Sequence, residues 1–243
     1  MNKWLVFLIP LLFCQFLPQN TIGQLSPDDS LYYQAANDNI LKTYHTAIKE
    51  QSDILNGRMN IPYTIRFENC TPFFKEEKFL AGELIYDGVR YERVLMMYDQ
   101  LLSGIITLAP FGRLQLFNNK VDRFSIDGHN FIRLEENALN KIKSGFYEHL
   151  YDGEVDIFKR VEKTIREDLQ TGVVLRFIDK KDFFFIKYGE DFHLVKTKKE
   201  ILNVFKQQKP ALQAYIKKNK LNFRKDMDNA IVELATYYDQ LTR

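Results

Sequence analysis

Cysteine, tryptophan and histidine are all scarce in this chain, and each scarcity excludes something. The 243 residues hold two cysteines, Cys14 and Cys70, and the first sits in an apolar leader. One remaining cysteine can form no intramolecular disulfide and cannot hold a zinc ion alone, so neither a disulfide scaffold nor a cysteine-rich metal site is expected. The single tryptophan, Trp4, also lies in the leader, which disfavours a sugar-binding platform built on indole faces. The histidines, His45, His129, His149 and His193, show no pair at ligand spacing. A nucleophile elbow, a phosphate loop, a dinucleotide fingerprint and a His-Glu-x-x-His pair are also missing. No catalytic residue, cofactor-binding residue or metal ligand is therefore assigned, no cofactor is expected, and the reading leans away from an enzyme.

Long apolar runs are equally rare. The one at Trp4–Phe13 follows a single charge at Lys3 and stops well short of the roughly 20 residues a membrane-spanning helix needs. Pro10 interrupts it and Gln15 ends it, which is the pattern of a secretory signal rather than an anchor. Residues 1–24 are expected to be removed near Gly23 or Gln24, and the chain is expected to be exported to the periplasm or outer envelope without crossing a membrane. Cys14 is a candidate lipidation site, but the bulky Phe13 stands where such a signal needs a small residue. Asn69-Cys70-Thr71 matches a glycosylation sequon, which matters only in a host that uses it.

What remains is α+β in pattern. Ser26 can cap a helix that Pro27, Asp28 and Asp29 favour, and Ile40, Tyr44, Ala47, Ile48 and Leu55 recur at helical spacing until Asn56-Gly57. That predicts an N-terminal helix over 25–60. Over 61–196 the period falls to two, with turn signals every eight to twelve residues, predicting about ten strands in an antiparallel meander. Asp87-Gly88, Asp127-Gly128 and Asp152-Gly153 are expected to make tight primed turns, and Asn118-Asn119 and Gly189-Glu190 two more. Asn137–Ser144 reads as a short helix or loop, and Val161–Thr171 as a helical or irregular excursion. A C-terminal helical unit over 197–243 is predicted as Lys198–Phe205, Pro210–Lys218 and Lys225–Leu241. In the last of these, Met227, Ile231, Leu234, Tyr238 and Leu241 form one stripe. With no linker visible, 25–243 is read as one compact unit.

Charge is unevenly placed. Residues 25–195 carry 22 Lys+Arg against 27 Asp+Glu, a net of −5, whereas 196–243 carry 11 against 5, a net of +6. Lys206, Lys209, Lys217, Lys218, Lys220, Arg224 and Lys225 are the candidate anion- or partner-binding residues. Apolar residues interleave with them, as on any docked surface helix, so the bland alternative is a solvated face. An exported chain rarely meets nucleic acid, so an anionic lipid head group, acidic polysaccharide or acidic protein face is the better partner. Glu148, Asp152, Glu154 and Asp156 straddle one hairpin and could in principle do two-carboxylate chemistry, though turns carry acids routinely. The aromatic runs Tyr32-Tyr33, Phe73-Phe74 and Phe183-Phe184-Phe185 read as core in a covered sheet, or as a groove lining in an open one.

Several segments together carry a resemblance: Gly82–Gly88, Tyr98-Asp99, Gly145-Phe146-Tyr147, Lys218–Lys225 and Tyr237-Tyr238-Asp239. Over about Arg66 to Leu241 the chain resembles a family of uncharacterised secreted proteins common in Bacteroidota envelopes. The resemblance implies an envelope location and carries no activity and no functional residue. The expected function is a non-catalytic binding or scaffold module of the cell envelope. The alternatives are a carrier holding an apolar ligand in a curved sheet, and a hydrolase whose site assembles only in three dimensions.

Overall fold

The computed structural model describes residues 53–170 and 172–242, all within the unit Ile48–Arg243. The leader and the expected N-terminal helix up to residue 52 lie outside them. Eleven strands form a single antiparallel sheet. They are β1 (Gly57–Met59), β2 (Leu80–Tyr86), β3 (Val89–Asp99), β4 (Gly104–Ala109), β5 (Gly112–Leu116), β6 (Val121–Ile126), β7 (His129–Leu134), β8 (Gly145–Tyr151), β9 (Val155–Gln170), β10 (Val173–Tyr188) and β11 (Asp191–Val195). Three helices follow: α1 (Lys198–Val204), α2 (Lys209–Asn219) and α3 (Met227–Thr242). None of the described helices is long and apolar enough to cross a membrane.

The strand order is β1-β5-β4-β3-β2-β6-β7-β8-β9-β10-β11, which corrects the expected meander at one point. β6 returns to pair with β2 instead of β5. Asn118-Asn119 is thus no hairpin turn but part of a 3-10 crossing, Asn118–Lys120. The crossing dictates the shape of the sheet. Four strand spacings separate β5 from β6 along the sheet, about 19 Å when flat, whereas the five steps from Leu116 to Val121 reach about 18 Å even fully extended. A 3-10 segment is shorter still. The sheet from β2 to β5 must therefore curl until its edge approaches β6. Leu84, Tyr86, Met96, Tyr98, Ile105, Leu114, Phe124, Phe131 and Phe146 fill the inside of that curl with fully or nearly fully buried side chains.

The turns sort by chemistry. Asp87 and Gly88, and likewise Asp127 and Gly128, have positive φ at both positions, the backbone of a type I′ turn, as expected. Asp152-Gly153 departs from the expectation: neither residue has positive φ, and Tyr151 pairs with Ile157, leaving a longer loop. Val161–Thr171 is likewise corrected, because residues up to Gln170 belong to the 16-residue strand β9, paired with β10 along its whole length. Polar residues alternate on both faces there because that part of the hairpin reaches past the neighbouring strands.

The helices pack on one face of β9–β11. Val155, Ile157, Phe184, Ile186 and Val195 meet Ile201, Phe205, Leu212, Ile231, Leu234 and Tyr238. The predicted stripe of the last helix is the buried one, with Met227 and Leu241 partly covered at its ends. Phe185 enters a smaller cluster on the opposite face with Ile142, Tyr147 and Phe158, so the Phe183–Phe185 run serves a sheet covered on both sides.

Candidate functional site

The helices enclose a surface cleft of about 930 Å³ between the end of β11, the start of α1, the last turns of α2 and the α2–α3 connection. Six cations line it, Lys196, Lys198, Lys199, Lys217, Lys220 and Arg224, and no carboxylate does. All six are exposed, and none makes an ion pair among the described residues. Gln213, Thr197 and Asn222 add neutral polar groups, and Ile216, Leu221 and Phe223 supply an apolar floor. Such a surface suits an anion that also carries apolar or neutral parts.

Each wall follows from a local rule. Thr197 caps α1: its side chain accepts from the Glu200 N–H while the Glu200 carboxylate accepts from the Thr197 N–H, a complete capping box. That box carries Lys198 and Lys199 into the first helical turn, where the helix dipole disfavours cations by about 0.3–1 kcal/mol each at low salt. Lys220 ends α2 in the left-handed region, at φ 55°, where glycine is the usual residue. A side chain there costs about 1–2 kcal/mol. Beyond it, the Asn222 carbonyl and side chain accept from Lys225 N–H, and the side chain also from Arg224 N–H, which fixes the connection that carries Arg224.

Of the seven residues proposed from sequence, Lys217, Lys220 and Arg224 come together in this cleft. Lys206 lines a different depression beside His193 and Glu200, and Lys209 donates to Asn203. Lys218 and Lys225 are exposed but do not line the cleft. Lys196, Lys198 and Lys199 belong to the same basic stretch, 196–225, but stand outside those seven. The signal that finds them is Thr197-x-x-Glu200, which marks a helix start with two lysines inside it.

Other groups of chemical interest are occupied structurally. Glu148 faces His129 at 2.5 Å, and His149 faces Asp156 at 2.9 Å with its ring stacked on Phe158. His149, Asp152 and Asp156 bring three donor atoms within 4.8 Å of one another, a hydrogen-bonded pair plus an exposed loop carboxylate that could share a divalent ion. Glu154 gives its backbone N–H to Asp239 and Glu148 pairs with His129, so of the four hairpin acids only Asp152 and Asp156 come together, beside His149. Asp99 is 1 % exposed and accepts from Tyr63 and from the Leu101 and Leu102 N–H groups. Burial pushes its carboxyl above the usual range despite those bonds. Lys163, pushed down chiefly by burial, donates to the Thr71 and Phe73 carbonyls. Shifted acidity is what catalysis uses, but these contacts bind the 60–79 segment to the sheet.

No protein-family model, curated protein or solved structure matches the chain.

Proposed function

We propose that the chain is a non-catalytic binding module of the cell envelope, exported by its leader, whose C-terminal cationic cleft docks an anionic envelope component. The resemblance to the Bacteroidota envelope family agrees with that location. The observation that carries the reading is the convergence of six cations, unpaired among the described residues, on one cleft without a carboxylate. Two local costs support it, since cations in the first turn of α1 and a left-handed Lys220 oppose folding and both meet at the cleft. Rules broken locally without local gain cluster where function resides. The packed interior of the curled sheet places this reading ahead of a carrier, and the pairing of Glu148 with His129 and of Asp156 with His149 places it ahead of a hydrolase.

The test is co-sedimentation of the mature chain with anionic vesicles and, separately, with acidic envelope polysaccharide at low and high salt. Charges act over about 8 Å at physiological salt, so binding to one material should fall steeply as salt rises. A Lys217→Glu, Lys220→Glu variant should lose it. Equal binding by parent and variant, or none to either material, returns the cleft to a solvated surface. Mass spectrometry of exported chain should find Trp4 removed; an intact N-terminus refutes the location.

A further inference from the structure

We propose that the free edge of β9 is a two-fold interface joining two copies of this chain. The β9–β10 hairpin outruns the rest of the sheet: β8 pairs with β9 only as far as Lys159, and among the described residues no strand is paired with 160–170 on that side. The outer edge of β10 is treated differently. There the Glu68 N–H donates to Arg176 O, and the Asn69 side chain exchanges two hydrogen bonds of 2.8 Å with the N–H and C=O of Ile178, in the manner of a strand peptide. One edge of the same hairpin is covered and the other is left as a template for pairing.

The ladder shows which groups are presented. Ile178 opposes Ile165, and its N–H and C=O point away from β9 to Asn69. In an antiparallel ladder the N–H and C=O of Ile165 therefore point away from β10, as do those of Val161, Lys163, Glu167 and Leu169. About Ile165 this segment places an apolar residue at each end, Val161 and Leu169, and opposite charges between them, Lys163 and Glu167. A second copy running antiparallel places Val161 opposite Leu169, Lys163 opposite Glu167 and Ile165 opposite itself, all on one face. Five such pairs supply about ten backbone hydrogen bonds. They cover Ile165, which is 43 % exposed, and Leu169, which is 70 % exposed. Lys163, whose ammonium donates to the Thr71 and Phe73 carbonyls, is set opposite Glu167 of the second copy, a carboxylate that Arg176 also holds within its own chain at 2.8 Å. On the opposite face Glu162 meets Asp168, a like-charge pair, but Glu162 is neutralised within its own chain by Arg160 at 3.4 Å and Lys143 at 3.2 Å. Shifting the register by two residues sets either Arg166 or Thr164 against itself and puts Ile165 opposite Glu167 or Lys163, so the matches on this face select one register.

Sedimentation velocity of the full chain over a wide concentration range tests the proposal, and should show the mass double. Glu167→Lys sets two lysines opposite each other and should weaken dimerisation at least tenfold. Ile165→Pro removes an outward-pointing N–H from an edge position and should give a monomer that melts near the parent temperature. Paired Ile165 positions stand about 5.5 Å apart between Cα atoms, within disulfide reach. Ile165→Cys in a Cys14→Ser, Cys70→Ser background should thus cross-link at least tenfold faster than Val174→Cys, which sits on the covered strand. A parent that stays monomeric throughout, a dimer that survives both Glu167→Lys and Ile165→Pro, or an edge protected by residues 25–52 of the same chain overturns it.

Discussion

Replacing Gly153 by alanine should be among the most damaging single-methyl additions in this protein, although the residue sits in an exposed loop with ordinary backbone angles. A Cβ at this position would fall inside the van der Waals shell of Asp239 Oδ2, 2.7 Å from Tyr151 Cε1 and 3.0 Å from Tyr151 Oη. Asp239 lies on α3, is 2 % exposed, and accepts from the Tyr151 hydroxyl at 2.8 Å and the Glu154 N–H at 2.9 Å. Those bonds fasten the last helix to the β8–β9 loop. Making room for the methyl moves the loop off the carboxylate, and each lost bond to a charged acceptor is worth about 1.5–3 kcal/mol. The expected loss is about 3–5 kcal/mol. Gly88→Ala is the control: nothing lies within 4 Å of its added carbon, and only the left-handed backbone opposes it, at about 1–2 kcal/mol. Urea unfolding of both variants, of Asp239→Ala and of the Gly153→Ala, Asp239→Ala pair gives a double-mutant cycle. The second substitution should cost much less once the carboxylate is gone, a coupling above about 1 kcal/mol. Additive costs, or a Gly153→Ala variant no worse than Gly88→Ala, refute the reasoning.

Leu234→Ala should lower stability by about 2–5 kcal/mol, because Leu234 is 0 % exposed between α3 and the sheet; an unchanged urea midpoint means the stripe is not packed. Lys220→Gly relieves the left-handed backbone at the end of α2 and should stabilise the fold by about 0.5–1 kcal/mol while weakening anion binding; a less stable variant refutes the strain. For Lys159, burial opposes the charge, but the hydrogen bond to Asp228 and the charges of Asp228 and Asp182 outweigh it, so its pKa stands above the ordinary value. A base raised in the folded state adds stability that is full below the unfolded pKa, about 10.4, and is lost as pH climbs through the folded value. The parent's advantage over Lys159→Met should therefore shrink in strongly alkaline urea melts and hold at pH 8; an advantage that grows with pH refutes the sign.

Local chemistry was legible from residues alone. Asp87-Gly88 and Asp127-Gly128 marked their turns because two adjacent positive φ angles suit few other pairs. The Met227–Leu241 stripe marked a buried helix face because helical spacing survives any choice of partner. The basic tail was visible as composition. What composition could not show is which charges meet: the cleft draws Lys196, Lys198 and Lys199 from a strand end and a capping box, and Lys217, Lys220 and Arg224 from the last turn of the next helix and the connection after it. Two motifs of identical spelling also part company. Gly88 is required by its own backbone, whereas Gly153 is required by a carboxylate 86 positions away, a demand that exists only after α3 docks. The return of β6 to β2, and the length of β9, depend likewise on pairing between distant segments. Sequence by itself determined the turns, the periodicities and the sign of the tail, because those act over a few residues. The curl, the cleft and the open edge were decided by tertiary structure, because each is made by residues that meet only when the chain has closed on itself.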